Sequence, residues 1–130
     1  MKVSCLGLGL ALMCSGFLIQ AASAAESLPQ KFSLKGDTLV YDTQTDVKDE
    51  LKEITLDDAE QMREILKKHP DIRELQLNSG GGNVQAGADI AGMVLEYHLD
   101  TSVDGDCISA CVTVFLAGDR RRMTLGARIG

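Results

Sequence analysis

The sequence has no long basic stripe, no internal repeat and no low-complexity tract. Its net charge is −6, and its only basic cluster is the run Arg120–Arg122, which is a weak patch. An acidic chain without basic stripes lacks the electrostatic footprint of a nucleic-acid-binding protein. The sequence also lacks a Walker A loop and the full glycine spacing of a dinucleotide-binding fold. The acidic charge argues against nucleic acid as a partner, and the missing motifs argue against a P-loop or a dinucleotide-binding fold.

One hydrophobic stretch does occur, at the N-terminus, but it is short for a membrane span. It begins after Lys2, continues through an apolar region to Ile19 and ends in a run of small residues. Cleavage near Ala24 or Ala25 fits the pattern that signal peptidase requires. We therefore predict a signal peptide over residues 1–25 and export to the periplasm. The alternative is an N-terminal membrane anchor, and otherwise no contact with a membrane is expected.

Removal of this segment changes both the charge and the cysteine content. It takes away one positive charge, which makes the net charge −7, and two of the four cysteines. The exported chain then keeps Cys107 and Cys111 in an oxidising compartment. Its first residues, 26–36, are polar and predict a linker, followed by a domain over 37–130.

Strand patterns alternate with helix patterns along this domain. The predicted elements are a strand around 39–41, a helix after the N-cap Thr55 that ends at Pro70, a strand over 72–79, a glycine turn and helix over 79–98, a short strand over 99–105 and a helix over about 110–116. This alternation predicts an α/β fold with a largely parallel sheet.

Side-chain chemistry divides the predicted elements into a core and a solvated face. The residues predicted to lie in the core of the last two helices are Met93, Val94, Leu95, Val112, Val114, Phe115 and Leu116. The acidic residues of segment 46–60 are interpreted as a solvated face and a helix start.

Two elements bring chemically useful groups to the ends of strands. The glycines at 80–82 allow backbone N–H groups to face outward, as an oxyanion site requires. Ser109 lies at a strand-to-helix transition, where the N–H of Ala110 points toward any oxygen bound beside it. Taken singly, the first is typical of a tight turn and the second of a serine N-cap. Together they can surround one carbonyl group.

These motifs, in their order, resemble the Clp protease proteolytic subunit within the wider Clp protease/crotonase superfamily, and most of all its exported periplasmic branch in bacteria. The matching residues are Asn78–Gly82, Ala86–Gly87, Gly105 with Ser109, and Ala117–Gly118. The resemblance covers about Ile72 to Gly130. It implies a β-β-α spiral with a largely parallel sheet, truncated at the C-terminus, and assembly into a homo-oligomer.

The resemblance also implies an activity and its residues. Ser109 would be the nucleophile of a serine hydrolase that acts on peptides or proteins, and the N–H groups of Gly82 and Ala110 would form its oxyanion hole. The sequence gives no sign of a cofactor, and the spacing of its His and Cys residues argues against a metal site.

The sequence departs from the family at three points. Gly80 replaces a proline, and two cysteines flank the serine. The base histidine is expected about two residues beyond Gly130, with its acidic partner further on, and neither His69 nor His98 fits that role. Since the closing residues "ARIG" are typical of the start of a strand, we expect the natural chain to continue.

Three other interpretations stay open. A crotonase-type acyl-thioester enzyme would need the oxyanion hole but no nucleophile, so Ser109 counts against it. A Ser–Lys dyad enzyme would need a lysine, and none follows Lys68. A non-catalytic binding protein on the same fold is favoured if Gly130 is the true end of the chain.

The spacing of the two remaining cysteines restricts how they can pair. Residues four apart in a regular helix have Cβ atoms about 5–6 Å apart, too far for a disulfide. A bridge therefore requires Cys107 to precede the helix that contains Cys111. The alternatives are two buried thiols or, with less suitable spacing, a metal site.

Overall fold

A computed structural model of the chain describes residues 27–130; the predicted signal peptide lies outside these residues. The strands are β1 (Phe32–Lys35), β2 (Thr38–Asp42), β3 (Glu74–Ser79), β4 (Asp100–Cys107), β5 (Arg121–Met123) and β6 (Arg128–Ile129). The helices are α1 (Leu56–Lys68), α2 (Val84–Glu96) and α3 (Ala110–Leu116), and a 3₁₀ turn covers Asp49–Leu51. Every helix and strand predicted for the domain is present.

The strands form one sheet in the order β1-β2-β3-β4-β5, and β6 also pairs with β4. Within residues 27–130, only β1 and β2 pair antiparallel; β2, β3, β4, β5 and β6 pair in parallel. This confirms the predicted α/β fold with a largely parallel sheet. Because parallel strands end at the same edge, the residues that follow β2, β3 and β4 are brought close together, where α/β folds usually bind ligands.

The segment 26–36 differs from the predicted linker, since it contains β1. Phe32 pairs with Tyr41 across the hairpin, and their rings stack with centroids 4.8 Å apart. Lys31, just before the strand, is also buried. The polar composition was misleading because β1 is an edge strand that buries only its first residue.

Helix α1 begins as predicted, with Thr55 as its N-cap. The Thr55 hydroxyl accepts a hydrogen bond from the N–H of Asp58, whose carboxylate accepts one from the N–H of Thr55. This reciprocal capping box satisfies two backbone donors that a helix start otherwise leaves unpaired. Asp58 thus lies at the helix start, as predicted, and it is buried there, with only 3% of its surface exposed.

The helices and the sheet enclose one hydrophobic core. Met93, Val94, Val114 and Phe115 belong to it, but Leu95 and Leu116 are 58% and 62% exposed, against expectation. The reason lies in helix geometry, because consecutive residues point in different directions and cannot all face the sheet. None of the helices within residues 27–130 is long and apolar enough to cross a membrane.

Candidate active site

The glycine loop and the serine turn lie next to each other at the carboxyl edge of the sheet. The loop, Gly80–Gly82, follows β3, and the turn, Ile108–Ser109, joins β4 to α3. A methyl group on Gly81 would lie 2.7 Å from the carbonyl oxygen of Ile108 and 2.9 Å from Cβ of Ser109. The fold therefore brings together the two elements that stand out in the sequence.

Ser109 adopts a backbone conformation that is rare for a residue with a side chain. Its φ is 54° and its ψ is −122°, a conformation that costs about 1–3 kcal/mol and persists where the surroundings enforce it. The surroundings here include Gly130, whose carbonyl oxygen accepts the N–H of Ser109 at 2.7 Å. A strained strand-to-helix turn of this kind displays the nucleophilic serine of α/β-hydrolases.

The hydroxyl of Ser109 is available for chemistry. The residue is exposed and occupies the N-cap position of α3, yet its side chain makes no capping hydrogen bond. The structure therefore does not bear out the interpretation of Ser109 as an ordinary capping serine. Across residues 27–130, no group forms a hydrogen bond with this hydroxyl.

Two backbone donors beside the serine are also unused. The N–H groups on either side of Gly82 are occupied, since Gly81 donates to Oγ of Ser79 at 3.1 Å and Asn83 donates to the carbonyl oxygen of Ile54 at 2.9 Å. In the described part of the chain, the N–H groups of Gly82 and Ala110 have no acceptor. Free backbone donors next to a free hydroxyl are the components of an acyl-transfer site.

A disulfide encloses the serine turn. Cys107 ends β4 and Cys111 lies in the first turn of α3, with their Cα atoms 5.2 Å apart and both residues fully buried. Of the alternatives considered for the two cysteines, the structure therefore has the disulfide, with Cys107 preceding the helix as the spacing requires. The cross-link joins the residues two positions before and two positions after Ser109 and restricts the backbone between them.

Reduction of this disulfide is expected to destabilise the fold modestly and to slow the reaction of Ser109 more strongly. A cross-link over so short a loop contributes about 2 kcal/mol in the chain-entropy model. Chemical denaturation and the rate of labelling by a serine-directed phosphonate, each with and without a dithiol reductant, measure the two effects. In a Cys107→Ala/Cys111→Ala variant the reductant should change neither. Unaltered labelling of the fully reduced wild type would contradict this expectation.

Asn78 ties together the three strands that end at the site. Its Nδ2 donates to both carboxylate oxygens of Asp42 at 3.2 Å, and its Oδ1 accepts the N–H of Asp106 at 3.0 Å. Partial burial raises the pKa of Asp42, but hydrogen bonds from Thr45, Gln44 and Asn78 outweigh it and hold that pKa below its ordinary value. Asp42 is thus an ionised anchor at this edge of the sheet.

An ion pair holds β6, whose next residue Gly130 contacts the serine turn, against β4. Arg128 donates from Nε and Nη2 to the two carboxylate oxygens of Asp106, at 2.7 and 2.6 Å. The side-chain hydrogen bond between them lowers the pKa of Asp106 and raises that of Arg128. The pair is solvent-exposed, so its role is to align β6 rather than to add much stability.

Both histidines of the described residues lie at the opposite edge of the sheet. His69 is the C-cap of α1, before β3, and His98 precedes β4, with Nδ1 3.5 Å from Asp119. The eight residues of β4 separate His98 from the serine turn by roughly 23 Å. As the sequence indicates, neither histidine is suited to act on Ser109. Within residues 27–130, no group of three or more His, Cys, Asp or Glu residues could hold a metal ion.

Sequence reasoning missed the residues that support the glycine loop. Thr43, after β2, bonds to Ser79 next to the loop, and Gln44 lies against Gly80. Ile54, before α1, bonds to Gly81 and Asn83. They come from segments without periodicity, so no pattern marked them. The pairing of β2 beside β3 brings Thr43 and Gln44 to the site, and a β-bridge to Gly82 brings Ile54 there.

No protein-family model matches the chain, and neither does any curated protein sequence. Solved structures do match. The N165D mutant of ClpP1 from Listeria monocytogenes has a TM-score of 0.54 and 27% identity, covering 59% of this chain and 50% of that chain. ClpP1 from the same organism gives 0.52 and 21%, covering 72% and 58%. A putative enoyl-CoA hydratase from Streptomyces coelicolor A3(2) gives 0.54 and 15%, covering 86% and 51%. The chain thus spans about half the length of the structures it matches.

Proposed function

We propose that this chain, which has the fold of the Clp protease/crotonase superfamily, is an exported serine hydrolase that cleaves peptides, with Ser109 as its nucleophile. One observation carries the proposal. The exposed hydroxyl of Ser109 has no partner within residues 27–130, in a strained turn beside the unpaired N–H groups of Gly82 and Ala110.

In this reaction, Oγ of Ser109 forms a bond to the carbonyl carbon of the peptide, and its proton passes to a general base. The carbonyl oxygen becomes an oxyanion that accepts hydrogen bonds from the N–H groups of Gly82 and Ala110. Each such donor contributes about 2.7–4 kcal/mol to the transition state. The carbon–nitrogen bond then breaks, the amine leaves with a proton from the base, and water hydrolyses the acyl-serine.

The attack requires a general base, because a serine hydroxyl is a weak nucleophile by itself. His69 and His98 are both remote from Ser109, so this chemistry needs a histidine from outside residues 27–130. The resemblance puts that histidine shortly after Gly130. The Ser109 turn is already joined to Gly130 by a hydrogen bond, so residues following it would begin next to the nucleophile.

Export and self-association are further parts of this proposal. The N-terminal apolar run that ends in small residues supports cleavage near Ala24 or Ala25, and the disulfide suits the periplasm. The exposed side chains of Leu95 and Leu116 offer apolar surface to a second copy of the chain. The proposed activity uses no cofactor.

Labelling of the full-length protein by an activated phosphonate tests the nucleophile. Wild-type protein should gain one phosphonyl group, and Ser109→Ala should lose this labelling completely while keeping its fold. The matched control is Ser33→Ala, at an exposed serine on edge strand β1, which should label like the wild type. Intact-mass measurement reads the adduct directly. Equal labelling of the Ser109→Ala variant would overturn the assignment.

A non-catalytic binding protein on the same fold is the second candidate. It is favoured by the position of both described histidines at the edge of the sheet opposite to Ser109. A folded, full-length wild type that does not react with the phosphonate, together with a Ser109→Ala variant that keeps its cellular role, would support this candidate instead.

A further inference from the structure

A chain of side-chain hydrogen bonds runs underneath the glycine loop. Nε2 of Gln44 donates to the carbonyl oxygen of Lys52 at 3.2 Å and to Oγ1 of Thr43 at 3.0 Å. Oγ1 of Thr43 donates to Oγ of Ser79 at 3.0 Å, and Oγ of Ser79 accepts the N–H of Gly81 at 3.1 Å. The bonds therefore connect the loop after β2 to the backbone of the glycine loop.

The two hydroxyls in the middle of this chain are sealed from solvent. Thr43 and Ser79 are both 0% exposed, so water cannot replace a missing partner. Removing one hydroxyl would leave the other with a lost bond in a buried place, which costs more than the bond itself is worth. The backbone holds the pair in register, because the N–H of Thr43 donates to the carbonyl oxygen of Asn78 at 2.9 Å.

The loop above the chain needs such support. Three consecutive glycines have more conformational freedom to lose than any other run of residues. On one side, Ile54 fixes the loop by donating its N–H to Gly81 and accepting that of Asn83, both at 2.9 Å. On the other side, Ser79 binds the N–H of Gly81. The N–H of Gly82 lies between these two attachments and has no acceptor among residues 27–130.

Gln44 also covers the first glycine of the loop. A Cβ atom on Gly80 would lie 3.4 Å from Nε2 of Gln44, so the amide side chain lies in van der Waals contact with this position. Gln44 thereby acts on the loop twice, by contact at Gly80 and by hydrogen bonding through Thr43 at Gly81. The loop that precedes α1 is attached to the same amide through Lys52.

We propose that Thr43 and Gln44 are positioning residues that hold the Gly82 N–H toward the carbonyl bound at Ser109. This inference rests on the proposed function. Neither residue touches the substrate. Both act through Ser79 and the glycine loop, by reducing the number of orientations that the Gly82 peptide can adopt before the oxyanion forms.

The experiment compares Thr43→Val, which keeps the shape but removes the hydroxyl, with Thr43→Ser, which keeps the hydroxyl. Amide hydrogen exchange of residues 80–83 reads the order of the loop without any reference to activity. Exchange in Thr43→Val should be about tenfold faster, the equivalent of roughly one net hydrogen bond, while exchange in α1 stays as in the wild type. Thr43→Ser should behave like the wild type.

Phosphonate labelling of Ser109 supplies the second measurement. Thr43→Val should lower the maximal labelling rate by about tenfold, in step with the loss of order in the loop, with little change in the concentration that gives half the maximal rate. Gln44→Met serves if Thr43→Val does not fold, since Gln44 is only half-buried. It should show the same two effects at smaller size.

The two measurements separate failure of this inference from failure of the proposed function. If the amides of residues 80–83 exchange as slowly in Thr43→Val and Gln44→Met as in the wild type, the positioning role is overturned, whatever the labelling result. Faster loop exchange in a protein whose wild type does not label would support the positioning of the loop and overturn the proposed hydrolase. Thr43→Ser behaving like Thr43→Val would overturn the role of the hydroxyl.

Discussion

Replacing Lys31 with methionine is expected to lower the free energy of unfolding by about 3–5 kcal/mol, because it leaves a buried carboxylate without its cation. Nζ of Lys31 lies 2.8 Å from Oδ2 of Asp58 and 2.8 Å from the carbonyl oxygen of Glu53. The two side chains of the ion pair are only 8% and 5% exposed. Methionine keeps most of the apolar body of lysine, so the change isolates the charge. Urea denaturation followed by circular dichroism measures the effect.

The matched control is Lys35→Met, at an exposed position four residues further along the same hairpin. Surface substitutions of this kind usually change stability by less than about 0.5 kcal/mol. A double variant, Lys31→Met/Asp58→Asn, should recover part of the loss, because a neutral amide does not need a cation. If Lys31→Met costs no more than Lys35→Met, the buried pair is not a stabilising contact.

The same carboxylate joins three parts of the fold. Besides Lys31, Oδ2 of Asp58 accepts hydrogen bonds from Oη of Tyr41 at 2.8 Å and from the N–H of Thr55 at 2.9 Å. Burial, and after it the charge of Asp58 and the hydrogen bond to it, raise the pKa of Tyr41 well above its ordinary value. The folded chain thus keeps the hydroxyl proton of Tyr41 at a pH where the unfolded chain loses it. The contribution of Tyr41 to the free energy of unfolding is therefore complete below about pH 10 and declines as the pH rises above it.

Gly82→Ala is expected to lower the phosphonate labelling rate of Ser109 by about 10²–10³-fold, the usual effect of losing one oxyanion-hole donor. The φ of Gly82 is +147°, and a Cβ atom there would overlap the backbone nitrogen of Ile54 and lie 2.6 Å from its carbonyl oxygen. Both contacts are with backbone, which cannot rotate away. The peptide that carries the Gly82 N–H must therefore move, and the donor moves with it.

Gly92→Ala provides the matched control for this substitution. Gly92 lies within α2, and nothing is found within 4 Å of a Cβ atom added there. Alanine at this position should stabilise the helix by about 1 kcal/mol and leave labelling unchanged. Labelling at the wild-type rate in a folded Gly82→Ala protein would show that the Gly82 N–H is not part of the oxyanion hole.

Much of the fold can be predicted from local sequence patterns that indicate where a helix begins and ends. Thr55 as N-cap, with acidic residues in the first turn, predicts the start of α1, and Pro70 predicts its end, because capping, the helix dipole and the missing proline N–H act within a few residues. The boundaries of α3 are equally local, since a mainly apolar run begins directly after Ser109. The strand β1 was missed because an edge strand that buries only Phe32 has no apolar alternation to detect.

The residues of the candidate site also fall into two groups, those with a local sequence signature and those without one. Ser109 and the three glycines are recognisable because strained turns and outward-facing N–H groups restrict which residue types can occur there. The supporting residues have no such signature. Thr43 and Gln44 are ordinary polar residues in a segment that reads as a loop, and their importance depends on lying opposite Ser79.

By itself, the sequence determined the order of helices and strands, the α/β class, the candidate nucleophile and the glycine loop beside it, because each depends on interactions among neighbouring residues. Only the tertiary structure decided which groups are buried together. Lys31 in a presumed linker and Asp58 at a helix start became an enclosed ion pair, and Thr43 and Gln44 became supports of the loop. These contacts join residues up to 36 positions apart, and such distances are closed by strand pairing and core packing rather than by any local preference.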